Sequence, residues 1–247
     1  MLHNGALLQT GPEDVYGEYS TVFDYFSDER FSPSNKYFMD FVAGLLGAKS
    51  KVCEVGGGTG YFSRMLLKQR PDVELLLVEP SESMLERARP RLGKQCVFMK
   101  NRLDQVIHAL DKQDVFIFQR SFYHLHKDVD SYQLLIKRLY DLTNDRGFVC
   151  IQDVPPVYDL EAHKRHLREK HLELGLSLET FDEKWPVLET ALKDYNERVA
   201  RNEYYKFPQD ALIVFFLFAG FSLLHFSADH GVFFFFKPPS RLIDAKR

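Results

Sequence analysis

Three alternate glycines behind an acidic residue have the spacing of a site for a small charged ligand. Residues 51–63 read KVCEVGGGTGYFS, in which an apolar strand ends at Glu54 and runs into Gly56, Gly58 and Gly60. Because glycine has no Cβ and tolerates positive φ, such a turn lets a ligand lie against bare backbone. The N–H groups that open the following helix can face an anionic group. The pattern therefore predicts a cofactor at the end of the first strand.

A second acidic residue strengthens this prediction. Residues 72–80 read DVELLLVEP, an apolar strand that ends at Glu79. Glu79 follows the glycines by about 20 residues, where a βαβ unit places the acid that holds ribose hydroxyls. The amphipathic segment 61–70 between them can serve as the crossover helix. The alternative is an ordinary buried βα turn with a surface glutamate, and the agreement of glycines, spacing and acid argues against it.

The type of glycine pattern favours a cationic cofactor over a dinucleotide. The chain has Glu-x-Gly-x-Gly-x-Gly, whereas dinucleotide sites have Gly-x-Gly-x-x-Gly, and Tyr61 stands where that pattern needs Gly or Ala. Glu54 would repel a pyrophosphate but attract an ammonium and a sulfonium. On these motifs the chain resembles the class I S-adenosylmethionine-dependent methyltransferases. The resemblance covers about residues 38–238, with its specific motifs in the first half.

The resemblance implies roles for the residues that follow the first two strands. Glu54 would face the methionine end of S-adenosylmethionine, and the glycines would pass close under the cofactor. Glu79 would accept hydrogen bonds from both ribose hydroxyls, and Pro80 would flank the adenine. In open α/β sheets the ligand lies outside the carboxyl ends of the strands, which agrees with these positions.

The residues after the third and fourth strands complete the expected cofactor site. Asn101 or Arg102 stands near the place of the acid that, in the family, receives the adenine amino group, and Leu103 would cover the ring. This departure from an acid is tolerable because an amide oxygen also accepts hydrogen bonds. Gln119 or Arg120 would reach the methionine part. An arginine there would pair with the cofactor carboxylate or with an acidic substrate.

Proton transfer and coverage of the cleft have their own candidates. His124, Asp153 and His230 would help if the acceptor must lose a proton. His124 packed on the sheet, and Asp153 as a cap of the next segment, are the structural alternatives. Tyr16 and Tyr19, in an aromatic N-terminal segment, would touch the cofactor from above or attach the N-terminus to the core.

The alternation of strands and helices predicts an α/β fold with a doubly wound, mostly parallel sheet. The last two strands, joined by the short SADHG, predict a hairpin, and the resemblance implies a seven-stranded sheet whose last strand is antiparallel. After the fifth strand a charged helical stretch, interrupted at Trp185 and Pro186, predicts a helical lid insertion. The expected divisions are an N-terminal aromatic cap segment (1–33), a cofactor-binding Rossmann-like core (34–156), the lid (157–206), and the end of the sheet with the C-terminal tail (207–247). Aromatic residues of and after the lid would line a substrate pocket: Tyr195, Tyr204, Tyr205 and Phe207.

Composition excludes several other classes. The net charge of −3 and pI near 6.3 argue against a nucleic-acid surface. The sequence has no run of 18 apolar residues, no secretory signal and no metal-binding motif. Its three widely spaced cysteines are typical of buried, reduced thiols in a cytoplasmic protein. We therefore expect a cytoplasmic enzyme that needs no metal and acts on a small molecule, and a homodimer through the aromatic lid stays open.

The predicted function is methyl transfer from S-adenosylmethionine to an oxygen, nitrogen or carbon atom of a small-molecule acceptor, by in-line displacement under a helical lid. Three alternatives stay open because a fold does not fix a function. The first is another S-adenosylmethionine-binding chemistry, such as cyclisation or cofactor conversion. The second is a non-catalytic binding or partner module that retains the glycine turn. The third is modification of protein or RNA, and the acidic balance argues against RNA.

Overall fold

The structure is a computed structural model that describes residues 12–27, 32–125, 128–153, 157–201, 203 and 208–239, with only the helical backbone at residues 12–18. Tyr204, Tyr205 and Phe207, which the sequence suggests for a substrate pocket, lie outside the described residues.

A seven-stranded sheet forms the centre of the molecule, in the order β3-β2-β1-β4-β5-β7-β6. Strands β1 to β5 are parallel, and β7 runs antiparallel to both β5 and β6. The predicted fold class is therefore confirmed. The strands are β1 (Lys51–Val55), β2 (Glu74–Val78), β3 (Cys96–Met99), β4 (Gln113–Gln119), β5 (Thr143–Gln152), β6 (Ser222–Ser227) and β7 (Val232–Phe236).

Helices cover both faces of the sheet, as the parallel strand connections require. The helices are α1 (Pro12–Phe26), α2 (Pro33–Leu45), α3 (Tyr61–Gln69), α4 (Glu82–Leu92), α5 (Leu103–Val106), α6 (Val129–Leu142), α7 (Leu160–Glu173), α8 (Leu178–Ala200) and α9 (Gln209–Ala219). Apolar residues of α2, α3 and α4 pack on one face, and those of α5, α6 and α9 pack on the other.

Strand β7 shows why both faces are needed. Val232 and Phe234 belong to one core, whereas Phe233 and Phe235 belong to the other, as the two-residue period of a strand dictates. All four side chains are buried. The run VFFFF therefore fills the interior on both sides of the sheet.

Helices α1, α7 and α8, which we call the cap helices, pack against one another through a separate apolar cluster. Val22 and Phe26 of α1 contact Leu167 of α7 and Phe181 and Trp185 of α8 in this cluster. The N-terminal aromatic segment and the stretch after β5 thus share one core.

The cap corrects an expectation from the sequence. Helix α8 runs without interruption through Trp185 and Pro186. Proline removes one hydrogen bond of the helix, and burial of Phe181, Trp185 and Leu188 on one face offsets that loss. His171 belongs to the charged helical stretch after β5, yet it is fully buried, and its ring nitrogens contact the Tyr25 hydroxyl and the Leu167 carbonyl at 2.8 Å each.

The three cysteines, Cys53, Cys96 and Cys150, are free and buried in the sheet, as predicted. Burial raises the pKa of each thiol, to about 12 for Cys96. They are therefore packing residues.

Within the described ranges, no helix combines the length and apolarity that a membrane crossing needs.

Candidate active site

A cavity of about 280 Å³ opens at the carboxyl ends of the central strands. It lies where the strand order reverses between β1 and β4, the position at which doubly wound sheets bind ligands. Its lining comes from the turn after β1, the ends of β2 and β4, the segment after β3, and the cap helices. The lining residues predicted from the sequence are Glu54, Gly56, Gly58, Glu79, Pro80, Asn101, Arg102, Leu103, Gln119, Arg120, His124 and Tyr195.

The turn after β1 brings bare backbone to the cavity. Gly56 has φ +67°, and a Cβ there would lie 2.5 Å from the Cβ of Ser121, so only glycine lets the turn pass the end of β4. A Cβ at Gly57 would lie 2.8 Å from the side chain of Leu77 and 3.2 Å from the Glu54 carboxyl carbon. Gly57, which the alternating pattern did not single out, is thus part of the turn's close packing.

Glu79 is fixed at the end of β2 by backbone donors. Its two carboxylate oxygens accept hydrogen bonds from the N–H groups of Gly58 and Ser81, each at 2.9 Å. The side chain is 7% exposed and lines the cavity. The carboxylate is therefore held at the place that the βαβ comparison predicts for a ribose-binding acid.

Glu54 is a buried carboxylate beside the glycine turn. It is 2% exposed, and its described hydrogen bond comes from the Ser63 hydroxyl. The pKa of Glu54 is raised to about 7, mainly by burial, which outweighs the lowering by the Ser63 hydrogen bond and is assisted by the negative charge of Glu79. A positive charge placed in the cavity would reverse this shift.

The opposite end of the cavity is lined by the segments after β2 and β3. Pro80, Asn101 and Leu103 all line it, and Leu103 is 1% exposed. Arg102 caps α5, and its Nε donates to Asp104 at 3.2 Å. An apolar side chain beside an amide suits a planar, hydrogen-bonding ring.

The end of β4 supplies polar side chains on the other side. Gln119 donates to the Gln152 side chain at 3.3 Å. Arg120 has φ +55°, a strained conformation for a residue with a Cβ, and its N–H donates to the Gln152 carbonyl at 2.6 Å. His124 follows in a short 3₁₀ turn, with its ring centre 3.9 Å from that of Tyr123.

Some residues singled out from the sequence do not line the cavity. Gly60, with φ +70°, faces helix α4, where a Cβ would lie 2.8 Å from Leu92. Its role in the structure is to let α3 start against α4. Tyr19 contacts Phe23 edge-on, and Phe23 lines the cavity one helical turn further along. For Tyr16 only the backbone is described.

Asp153 and His230 do not belong to the described lining of the cavity. The Asp153 backbone pairs with Gly231 at 2.9 Å. The His230 ring stacks on Tyr37 at 4.5 Å and its Nδ1 lies 3.0 Å from the Ser34 hydroxyl. Of the predicted proton-transfer residues, His124 is the one that lines the cavity.

An ion pair joins the cap to the glycine turn, and the sequence analysis did not find it. Asp24 of α1 accepts from Arg91 of α4 at 2.6 Å and from the Thr59 hydroxyl. Arg91 also donates to the Thr59 carbonyl at 2.9 Å. Because 67 positions separate Asp24 from Arg91, no local pattern signals the contact.

Comparisons with known proteins agree with this geometry. A family model described as a methyltransferase domain matches residues 53–149. A comparison with curated protein sequences found no match. Residues 53–149 thus match the model of a methyltransferase domain, and the predicted resemblance to class I S-adenosylmethionine-dependent methyltransferases is confirmed.

Solved structures share the fold at low sequence identity. An O-methyltransferase family protein from Burkholderia thailandensis matches with a TM-score of 0.59 and 15% identity, over 92% of this chain and 63% of that chain. An O-methyltransferase candidate from Nostoc punctiforme matches with a TM-score of 0.61 and 14% identity, over 93% and 62%. The cyclopropane synthase MmaA2 from Mycobacterium tuberculosis matches with a TM-score of 0.52 and 14% identity, over 76% and 60%. The chain spans a little over three fifths of the length of the first two.

Proposed function

We propose that this protein transfers a methyl group from S-adenosylmethionine to an oxygen, nitrogen or carbon atom of a small molecule held between the sheet and the cap helices. The observation that carries the proposal is the pair of carboxylates, Glu54 and Glu79, that line one cavity on either side of the glycine turn. A pyrophosphate would be repelled by Glu54, whereas an ammonium would relieve its unfavourable burial.

The residues present fit this cofactor. Among the described residues no cation lies within ion-pair distance of Glu54, so this buried carboxylate can take up an ammonium. We expect Glu79 to accept hydrogen bonds from the ribose hydroxyls, and Pro80, Asn101 and Leu103, which line the same cavity, to hold the adenine. When bound, S-adenosylmethionine supplies an electrophilic methyl group on a sulfonium.

The chain's own contribution is mainly positioning. Holding two reactants in line can supply most of the rate of such a displacement. The cap helices contribute Phe23, Leu192 and Tyr195 to the lining, beside Tyr158 of the segment before α7, and we propose that the cap acts as a lid that excludes water. His124 is our candidate to accept a proton when the acceptor atom carries one.

Product analysis tests the proposal. The protein is incubated with S-adenosylmethionine, with and without a panel of small hydroxyl, amine and carboxylate acceptors, and products are followed by mass spectrometry. We expect S-adenosylhomocysteine to form in equal amount with one methylated acceptor. Glu79→Ala, which lacks the cavity-lining carboxylate at the end of β2, is assayed beside the wild type, and Glu82→Ala is its matched control.

The same assay separates the alternatives. Consumption of the cofactor without an acceptor, or a product other than a methylated one, would indicate cyclisation or cofactor conversion instead. Stoichiometric cofactor binding without turnover on any acceptor, together with a stable partner protein, would indicate a non-catalytic module. Either result would contradict the proposed function.

A further inference from the structure

Arg120 is a cavity-lining cation whose charge no carboxylate of the described residues neutralises. Its Nη2 donates to the Asn35 side chain at 2.9 Å and reaches the Ser32 hydroxyl at 3.5 Å, and both of these partners are neutral. The other arginine of the lining, Arg102, has Asp104 as its partner. A guanidinium carries five N–H donors, so most of those of Arg120 remain for a ligand.

The arginine is held in position rather than loosely exposed. Asn35 is 5% exposed and its own amide donates to the Ser27 carbonyl at 2.9 Å, which fixes the oxygen that Arg120 contacts. The backbone of Arg120 is held with φ +55° by the hydrogen bond to Gln152. Strain of this kind persists only where the surrounding structure fixes the conformation.

The charge of Arg120 acts on two groups near the cap side of the cavity, Tyr158 and His163. Burial raises the pKa of Tyr158, and the Arg120 charge works against that rise. Burial lowers the pKa of His163 to about 4, and the Arg120 charge lowers it further. By contrast, the neighbours that shift the pKa of Glu54 are Ser63 and Glu79.

Two ligand carboxylates could pair with Arg120: that of the cofactor and that of an acidic acceptor. An α-amino acid carries its ammonium and carboxylate on neighbouring atoms, so a guanidinium that held the cofactor carboxylate would lie close to Glu54 as well. Arg120 instead shares the cavity lining with a group of edge-on aromatic rings, while its Nη2 contacts the neutral Asn35 and Ser32. Tyr195 contacts Tyr123 at 5.7 Å and Tyr158 at 5.5 Å between ring centres, and all three line the cavity.

We propose that Arg120 is the receptor for a carboxylate on the methyl acceptor, and that the acceptor is an aromatic carboxylic acid whose ring packs against Tyr123, Tyr158 and Tyr195. A guanidinium matches a carboxylate with two parallel hydrogen bonds, and tyrosine rings pack edge-on against a flat ring. This inference rests on the proposed function, since it assigns the acceptor half of the same cavity.

The test compares acids with their neutral amides. Binding of benzoate and cinnamate, and of benzamide and cinnamamide, is measured by ligand-observed NMR with the protein saturated by S-adenosylhomocysteine. We expect each acid to bind at least about 10-fold more tightly than its amide. Arg120→Gln should abolish this preference, and Arg120→Lys should retain part of it because a lysine keeps the charge but not the fork.

Two controls make the result decisive. Arg89→Gln removes an exposed arginine of α4 and should change nothing. The affinity of each variant for S-adenosylhomocysteine is measured in parallel, and for Arg120→Gln it should stay within about twofold of the wild type. Equal binding of acids and amides, binding of neither, or a 10-fold loss of cofactor affinity in Arg120→Gln would overturn the inference. Failure of the wild type to bind S-adenosylhomocysteine would contradict the proposed function before any acid is added, and the inference would fall with it.

Discussion

The two walls of the cavity are built in different ways. The sheet wall consists of a glycine turn and two glutamates, each fixed by neighbours in one βαβ unit. The cap wall consists of α1 and α8 side chains that meet across about 160 sequence positions, since Phe26 packs on Phe181 at 6.1 Å. Local backbone geometry thus forms the proposed cofactor half, and long-range side-chain packing forms the proposed acceptor half. The two halves should respond differently to mutation.

The largest effect is expected at Glu79. Glu79→Ala removes the carboxylate that the Gly58 and Ser81 N–H groups hold in place, and with it the proposed ribose contacts. We expect about a 100-fold loss of affinity for S-adenosylhomocysteine, measured by calorimetry, since two charge-assisted hydrogen bonds disappear. Glu82→Ala, three residues further on and exposed, should bind like the wild type. A loss of affinity below threefold for Glu79→Ala would contradict the assignment of the sheet wall as the cofactor half.

Through Glu54, the affinity for the cofactor should change about 10-fold with pH. With the pKa of Glu54 near 7 in the free protein, a cationic ligand binds the ionised form, so affinity should fall about 10-fold from pH 8 to pH 6. Comparison with Glu54→Gln cancels the titration of the ligand's own amino group, because the variant lacks only the Glu54 contribution. Parallel pH profiles for the two proteins would show that Glu54 does not contact the ligand.

The same glutamate should lower the stability of the free protein. Its folded-state pKa lies above the ordinary value of 4.5, so its contribution is most favourable below pH 4.5 and is lost as the pH rises through 7. At pH 8 we therefore expect Glu54→Gln to be more stable than the wild type by about 1–3 kcal/mol in urea unfolding. Glu74→Gln, at an exposed site of β2, controls for loss of a charge. A destabilised Glu54→Gln at pH 8 would argue that burial does not disfavour the charge.

The ion pair between Asp24 and Arg91, which joins the two walls, should affect cofactor affinity less. Asp24→Asn weakens the contact of α1 with Arg91 and Thr59, so we expect a threefold to tenfold loss of cofactor affinity, about 1 kcal/mol. The exposed Asp40→Asn, whose ion pair with Lys36 lies on the surface of α2, is the control. Calorimetry at two salt concentrations checks the result, and equal affinities for both variants would contradict a link between cap and glycine turn.

The smallest effect on the cofactor is expected from the cap core. Phe181→Leu removes a fully buried ring that stacks on Trp185 at 5.9 Å. It should lower stability by about 1–3 kcal/mol while leaving cofactor affinity within about twofold. Unfolding followed by the fluorescence of Trp185, the single tryptophan, measures the first quantity. A tenfold weaker cofactor would show that the two walls are not separable.

The same difference explains what the sequence could predict. Glu54, Gly56, Gly58 and Glu79 carry a local signature, because one strand, one turn and one crossover set their positions. The parallel sheet wound on both faces followed from the alternation of elements, and the antiparallel last strand followed from the predicted hairpin and the family resemblance. The cap contacts did not follow, because Asp24 meets Arg91 only through tertiary packing. For the same reason the sequence indicates Tyr19, whereas Phe23, on the next helical turn, is the residue that lines the cavity.

The sequence also could not predict which residues beside the cavity belong to its lining, or where the helices of the cap end. Asp153 ends a strand as expected, yet its backbone pairs with Gly231, and neither belongs to the cavity lining. Pro186 suggested a break, whereas burial of one face keeps α8 continuous. Propensity alone cannot weigh such burial against a lost hydrogen bond.

The most direct test of the central claim is a calorimetric titration of the wild-type protein with S-adenosylmethionine, S-adenosylhomocysteine and NAD at pH 8. The paired carboxylates Glu54 and Glu79 predict micromolar binding of the first two ligands and no measurable binding of NAD. Binding of NAD in preference to S-adenosylmethionine, or of none of the three, would contradict the assignment of the glycine turn.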